Sequence, residues 1–84
     1  MKINTELRDE IFRVVENQLK AGKPEETRRT YKRLIGDGHS EAEAKRLIGQ
    51  CVAVEIFCVL KEQKPFNEGR YVKNLKQLPK PPFD

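Results

Sequence analysis

A carboxylate set into an apolar helical stripe is the feature of this sequence that most invites chemistry. Glu55 falls among Leu47, Cys51 and Cys58 when residues are placed at helical spacing. A lone carboxylate buried there would be costly unless a partner met it. Gln18 sits in the same way amid Leu7, Ile11, Val14 and Val15. Two chemistries fit such residues. Glu55 could act as a general base or metal ligand with a perturbed proton affinity. Alternatively, Gln18 and Glu55 form a candidate buried polar pair, a hydrogen bond that fixes helix register, joined by Tyr31, Tyr71 or an Arg. No second carboxylate or His shares the Glu55 stripe, and its two cysteines read as buried thiols. The structural reading therefore leads, and no catalytic residue is assigned.

The next candidate is electrostatic. Arg28, Arg29, Lys32 and Arg33 share one broad helix face, with Lys23 before it and Lys45 and Arg46 able to extend it. These four residues form a candidate anion-binding patch for phosphate or nucleic acid. Against this, Glu25 and Glu26 interrupt the patch and no aromatic residues are interleaved with it. The stretch 34–47, with Gly38 in its turn, loosely matches helix-turn-helix spacing. Its second helix would however present Glu41 and Glu43 to the phosphates. Nucleic-acid binding is thus disfavoured without being excluded. His39 is a lone imidazole in a Gly-rich turn, and Ser40 reads as a helix cap. The chain has no P-loop, dinucleotide fingerprint, nucleophile elbow or paired-Cys zinc signature. No metal and no cofactor are expected, and no enzymatic activity.

Four helices are needed to place these residues, and no strand is expected. The first covers 5–20, capped by Asn4 and ended by Gly22; its inner face is Leu7, Ile11, Val14, Val15 and Leu19. Pro24 suits the first turn of the second, where Glu25 and Glu26 complement the helix dipole. Thr27, Tyr31, Leu34 and Ile35 form its inner stripe, and Gly36-Asp37-Gly38 stops it. Ser40 and Glu43 have the spacing of a reciprocal capping box opening the longest helix, 41–62. Asn67 caps a fourth helix, 68–78, with Phe66 and Tyr71 at the positions of a hydrophobic staple. Its apolar face is Tyr71, Val72, Leu75 and Leu78. Residues 79–84 contain three prolines and must leave the helix, as an extended tail lying over the bundle. Short links make neighbours antiparallel. The expected fold is all-α: one compact four-helix, bundle-like domain over 1–84 with a long central third helix.

That third helix is apolar almost all round from Cys51 onward, so more than one of its sides must be covered. Its own chain could enclose it, or a second copy could cover part of it. Gly49, Ala53, Ile56, Phe57 and Leu60 lie on one side and form the candidate interface. The absence of bulk at Gly49 and Ala53 would let another helix approach closely. Self-association as a homodimer is the expected partner relationship, and another protein is an open alternative.

Length and composition bound the rest. The chain has 84 residues, 36% of them charged, and a formal net charge of +4. That is room for one domain and a small core. No apolar run approaches the length that spans a bilayer, and the N-terminal residues lack the apolar centre of a secretory signal. Cys51 and Cys58, seven apart, would stand about 10 Å from one another on a helix, too far for a disulfide. Buried thiols in a reducing cytoplasm are expected, with no membrane association.

Asn4, Leu7, Glu16-Asn17-Gln18-Leu19, Pro24-Glu25, Arg33-Leu34 and Gly38 begin a series that continues through much of the chain. It runs on through Glu43-Ala44, Ile48-Gly49, Ala53, Glu55-Ile56, Leu60, Pro65-Phe66-Asn67, Tyr71 and Leu75. The series resembles a family of small bacterial all-helical proteins classed as a domain of unknown function. The resemblance implies an all-helical fold, and it matches at Gln18 and Glu55 without implying an activity for them. Many relatives carry His where this chain has Arg8, Phe12, Ala42 and Arg46. None of the four is His here, so a metal role is not carried over. The expected function is that of a protein-interaction or oligomerisation module without catalytic activity. The alternative is nucleic-acid or anionic-ligand binding through the second helix.

Overall fold

The computed structural model describes residues 5–82, and the chain forms four helices: α1 (Thr5–Ala21), α2 (Glu25–Gly36), α3 (Glu41–Glu62) and α4 (Glu68–Gln77). There is no strand among the described residues, so the all-α expectation holds. The Asn4 cap lies outside the described residues, as does the end of the 79–84 tail. The radius of gyration, 12.0 Å, is that of a globule of this length, about 12 Å.

Local signals place the boundaries. Pro24, in extended backbone, is the N-cap of α2 rather than a residue of its first turn; its carbonyl accepts from the Thr27 amide at 3.1 Å. Ser40 caps α3, its hydroxyl accepting from the Glu43 amide at 3.1 Å. Only that half of the expected box forms, because the Glu43 carboxylate turns to the His39 imidazole instead. Asn67 caps α4 through the Arg70 amide at 2.9 Å. The staple beside it is present: the Phe66 and Tyr71 rings meet edge to face, with centroids 5.3 Å apart.

α3 is the axis of the fold and packs against each of the other three helices. Its residues Ala44, Leu47, Ile48, Cys51, Val52 and Ala53 meet Ile11 and Val15 of α1, Leu34 of α2, and Tyr71, Leu75 and Leu78 beside them. α2 touches all of the others too, whereas α1 and α4 have no direct backbone approach and stand on opposite sides of α3 and α2. The inner stripe of α2 differs from expectation at its end. Thr30 is buried in the place expected of Ile35, which is 37% exposed. Thr27, Thr30 and Leu34 follow one line along the helix, and Ile35 lies a full residue's rotation off it.

Candidate functional site

Gln18 and Glu55 are both satisfied, but not by one another. Gln18 Oε1 accepts from Tyr71 Oη at 2.6 Å and from Thr27 Oγ1 at 2.8 Å. The two hydroxyls lie 3.3 Å apart, closing a triangle that ties α1, α2 and α4 together where α1 and α4 have no backbone contact. Burial pushes the Tyr71 phenol up to about 12, against the opposing effect of its bonds to Thr27 and Gln18. Burial also pushes the neighbouring Cys51 thiol up to about 12, which makes it an inert core group rather than a nucleophile.

Glu55 is 0% exposed and belongs to a second network. Arg70 donates to it twice, Nε to Oε2 at 2.6 Å and Nη2 to Oε1 at 3.1 Å. The Asn67 backbone amide adds a third bond at 2.9 Å. This forked pairing is the strong form of a charge-assisted contact, and it holds the Arg70 guanidinium more firmly protonated than usual. The expected Gln18–Glu55 pair is therefore corrected to two separate locks. Both close on α4, through consecutive residues: Arg70 reaches α3 and Tyr71 reaches α1 and α2. Among the described residues, no buried side-chain polar atom lacks a partner.

The basic face of α2 is committed to the fold. Arg28 donates to the Leu19 carbonyl at 2.6 Å and to that of Lys20 at 3.2 Å, capping the end of α1. Arg33 donates to the carbonyls of Leu78 at 2.9 Å and Leu75 at 3.0 Å, doing the same at the end of α4. Arg29 pairs with Glu25 at 2.8 Å. Of the four candidate anion-binding residues, Lys32 alone has no hydrogen bond or ion pair among the described residues. Guanidinium groups at helix C-termini complement the negative end of the dipole, so this charge is largely answered within the chain.

The candidate interface stripe divides in two. At its start, α1 of the same chain covers it: a Cβ on Gly49 would stand 3.2 Å from Ile11 Cγ2, and Ala53 is buried as well. The close approach expected at these small residues is thus internal. At its end the cover runs out. Ile56 and Phe57 are half-buried and Leu60 is 69% exposed, while Lys61 Nζ lies 5.5 Å from the centre of the Phe57 ring. Ile56 also lines a cleft of about 380 Å³ with Val14, Gln18, Pro24, Val52 and Phe66. Phe66 stands 40% exposed. Sequence periodicity missed this cleft, since it is built from four elements.

Of the four positions that the resemblance singles out, Ala42 is not placed with the other three. Arg8, Phe12 and Arg46 line one groove between α1 and α3. Among the described residues, no group of three His, Cys, Asp or Glu side chains is placed to hold a metal ion. No helix of the described residues is long and apolar enough to cross a membrane. The fold and these sites define a small all-α domain with two internal polar locks and one uncovered apolar end. No family model, curated protein or solved structure matches the chain.

Proposed function

We propose that this domain is a non-catalytic protein-interaction module that self-associates as a homodimer through the open end of the α3 stripe. The observation that carries the reading is Leu60, 69% exposed, on the same side of α3 as half-buried Ile56 and Phe57. Phe66, at the nearby apolar cleft, adds to this surface. In a chain of this size a run of large apolar side chains at one end favours burial against a partner. A twofold axis would let the same patch serve both copies. Two thiols kept as buried, unpaired cysteines fit a reducing, cytoplasmic setting.

The test is Leu60→Glu, followed by size-exclusion chromatography with light scattering. The wild-type chain should run as a dimer and the variant as a monomer with unchanged helix content. A wild-type monomer at high micromolar concentration would refute the self-association.

A further inference from the structure

Leu60 and the cleft one helical turn away are complementary in shape, a protruding apolar side chain and an apolar recess. Leu60 follows Ile56 by four positions, on the same face of α3. Ile56 is a wall of the cleft, with Val14, Pro24, Val52 and Phe66. Among the described residues three large apolar side chains stand exposed, Ile35, Leu60 and Phe66, and two of the three belong to this corner of the molecule. The Tyr71 hydroxyl that reaches the cleft is already bonded to Gln18 and Thr27, so the recess suits an apolar occupant. Its volume, about 380 Å³, is on the scale of sites that enclose a small organic group. Charge points to what that occupant is. Glu68, exposed, lines the cleft. Lys61 follows Leu60, with its Nζ 5.5 Å from the centre of the Phe57 ring. Neither Glu68 nor Lys61 is in an ion pair among the described residues. Glu62, by contrast, acts on Arg70 within the chain. A surface with an apolar knob beside a cation, and an apolar socket beside an anion, is complementary to itself across a twofold axis.

We infer that in the homodimer, on whose existence this inference rests, Leu60 of each copy seats in the cleft of the other. Lys61 of each copy then meets Glu68 of the other at the rim. The occupant of the cleft is thus a second copy of this chain, and the contact is an exchange: each copy gives one side chain and receives one. A simpler dimer, with Leu60 packed on Leu60, would cover the same helix end but leave both clefts facing water. The exchange buries Leu60, Ile56 and Phe66 together and answers two charges that the single chain leaves unpaired.

The experiment mixes carbon-13-labelled and unlabelled chains and records isotope-filtered nuclear Overhauser effects between copies. Leu60 methyl protons of one copy should show effects to Val14 and Ile56 of the other. Sedimentation equilibrium of charge variants supplies the second readout. Glu68→Lys and Lys61→Glu, both at exposed side chains, should keep the helix content. Each should weaken the dimer about tenfold, because each reverses two symmetric contacts. The chain carrying both substitutions should return to within about threefold of the wild-type affinity. A wild-type monomer would remove the homodimer itself. A wild-type dimer whose contacts between copies run from Leu60 to Leu60 without reaching Val14 would overturn the cleft exchange and leave the homodimer standing. So would a doubly substituted chain no tighter than either single variant.

Discussion

Replacing Arg70 by Leu should damage this fold more than replacing the buried carboxylate it holds. In Arg70→Leu, Glu55 stays 0% exposed and keeps only the Asn67 amide of its three bonds. Stranding a buried charge in this way costs about 3–5 kcal/mol. Total stability for so short a chain is on the order of 5–10 kcal/mol, so the variant should approach unfolding. In Glu55→Leu the stranded group is Arg70, whose side chain is already 24% exposed and can turn its guanidinium to water. The Asn67 amide belongs to an exposed residue and can also be hydrated. That substitution should cost about 1–2 kcal/mol. The double variant should fall near the Glu55→Leu value rather than at the sum, giving a coupling equal to the Arg70→Leu cost, about 3–5 kcal/mol. Urea denaturation followed by far-UV circular dichroism, at one fixed protein concentration, measures all four corners. Arg70→Leu costing no more than Glu55→Leu, or additive single effects, would refute the claim that Arg70 neutralises a buried carboxylate.

Other perturbations test the remaining parts of the account. Arg33→Met should lower stability by about 1–2 kcal/mol, because it uncaps the α4 carbonyls of Leu75 and Leu78; thermal unfolding would show this, and no loss would return Arg33 to the surface patch. Stability should fall at alkaline pH. Unfolded Cys and Tyr lose protons near 9.0 and 10.0, whereas the folded Cys51 and Tyr71 hold theirs to about 12. The contribution is complete below pH 9.0 and is lost as pH rises toward about 12, by up to about 1.4 kcal/mol per pH unit for each group. Cys51→Ala should delay the onset to near pH 10.0, read from urea midpoints across the range. Gly49→Ala should destabilise by about 1 kcal/mol despite its better helix propensity. Its new methyl meets Ile11 Cγ2 at 3.2 Å. Ile11→Leu removes that methyl and should relieve the clash, as a double-mutant cycle in urea would record.

The elements were legible in the sequence where the signal was local. Ser40 and Asn67 reach amides only three residues away, and Phe66 and Tyr71 meet within one helix start, so spacing alone predicts them. Where a side chain has a choice of partners, spacing was not enough: Glu43 took His39 rather than the amide of its cap. Gln18 and Glu55 were visible as polar residues on apolar faces. Their partners Tyr71 and Arg70 are 53 and 15 residues away, and periodicity along one helix carries no information on which other helix faces it. The basic residues of α2 looked like a surface patch for the same reason, since carbonyl groups at the ends of α1 and α4 leave no mark in the sequence. On α3, excess apolarity was readable as a need for cover. That α1 covers Gly49 and stops short of Leu60 depends on how the two helices cross.

Sedimentation equilibrium of the wild-type chain, from low to high micromolar concentration, bears most directly on the central claim. One chain is 9.8 kDa, so self-association through Ile56, Phe57 and Leu60 predicts a mass rising to twice that value, with Leu60→Glu remaining at 9.8 kDa. A wild-type mass of 9.8 kDa throughout would contradict it.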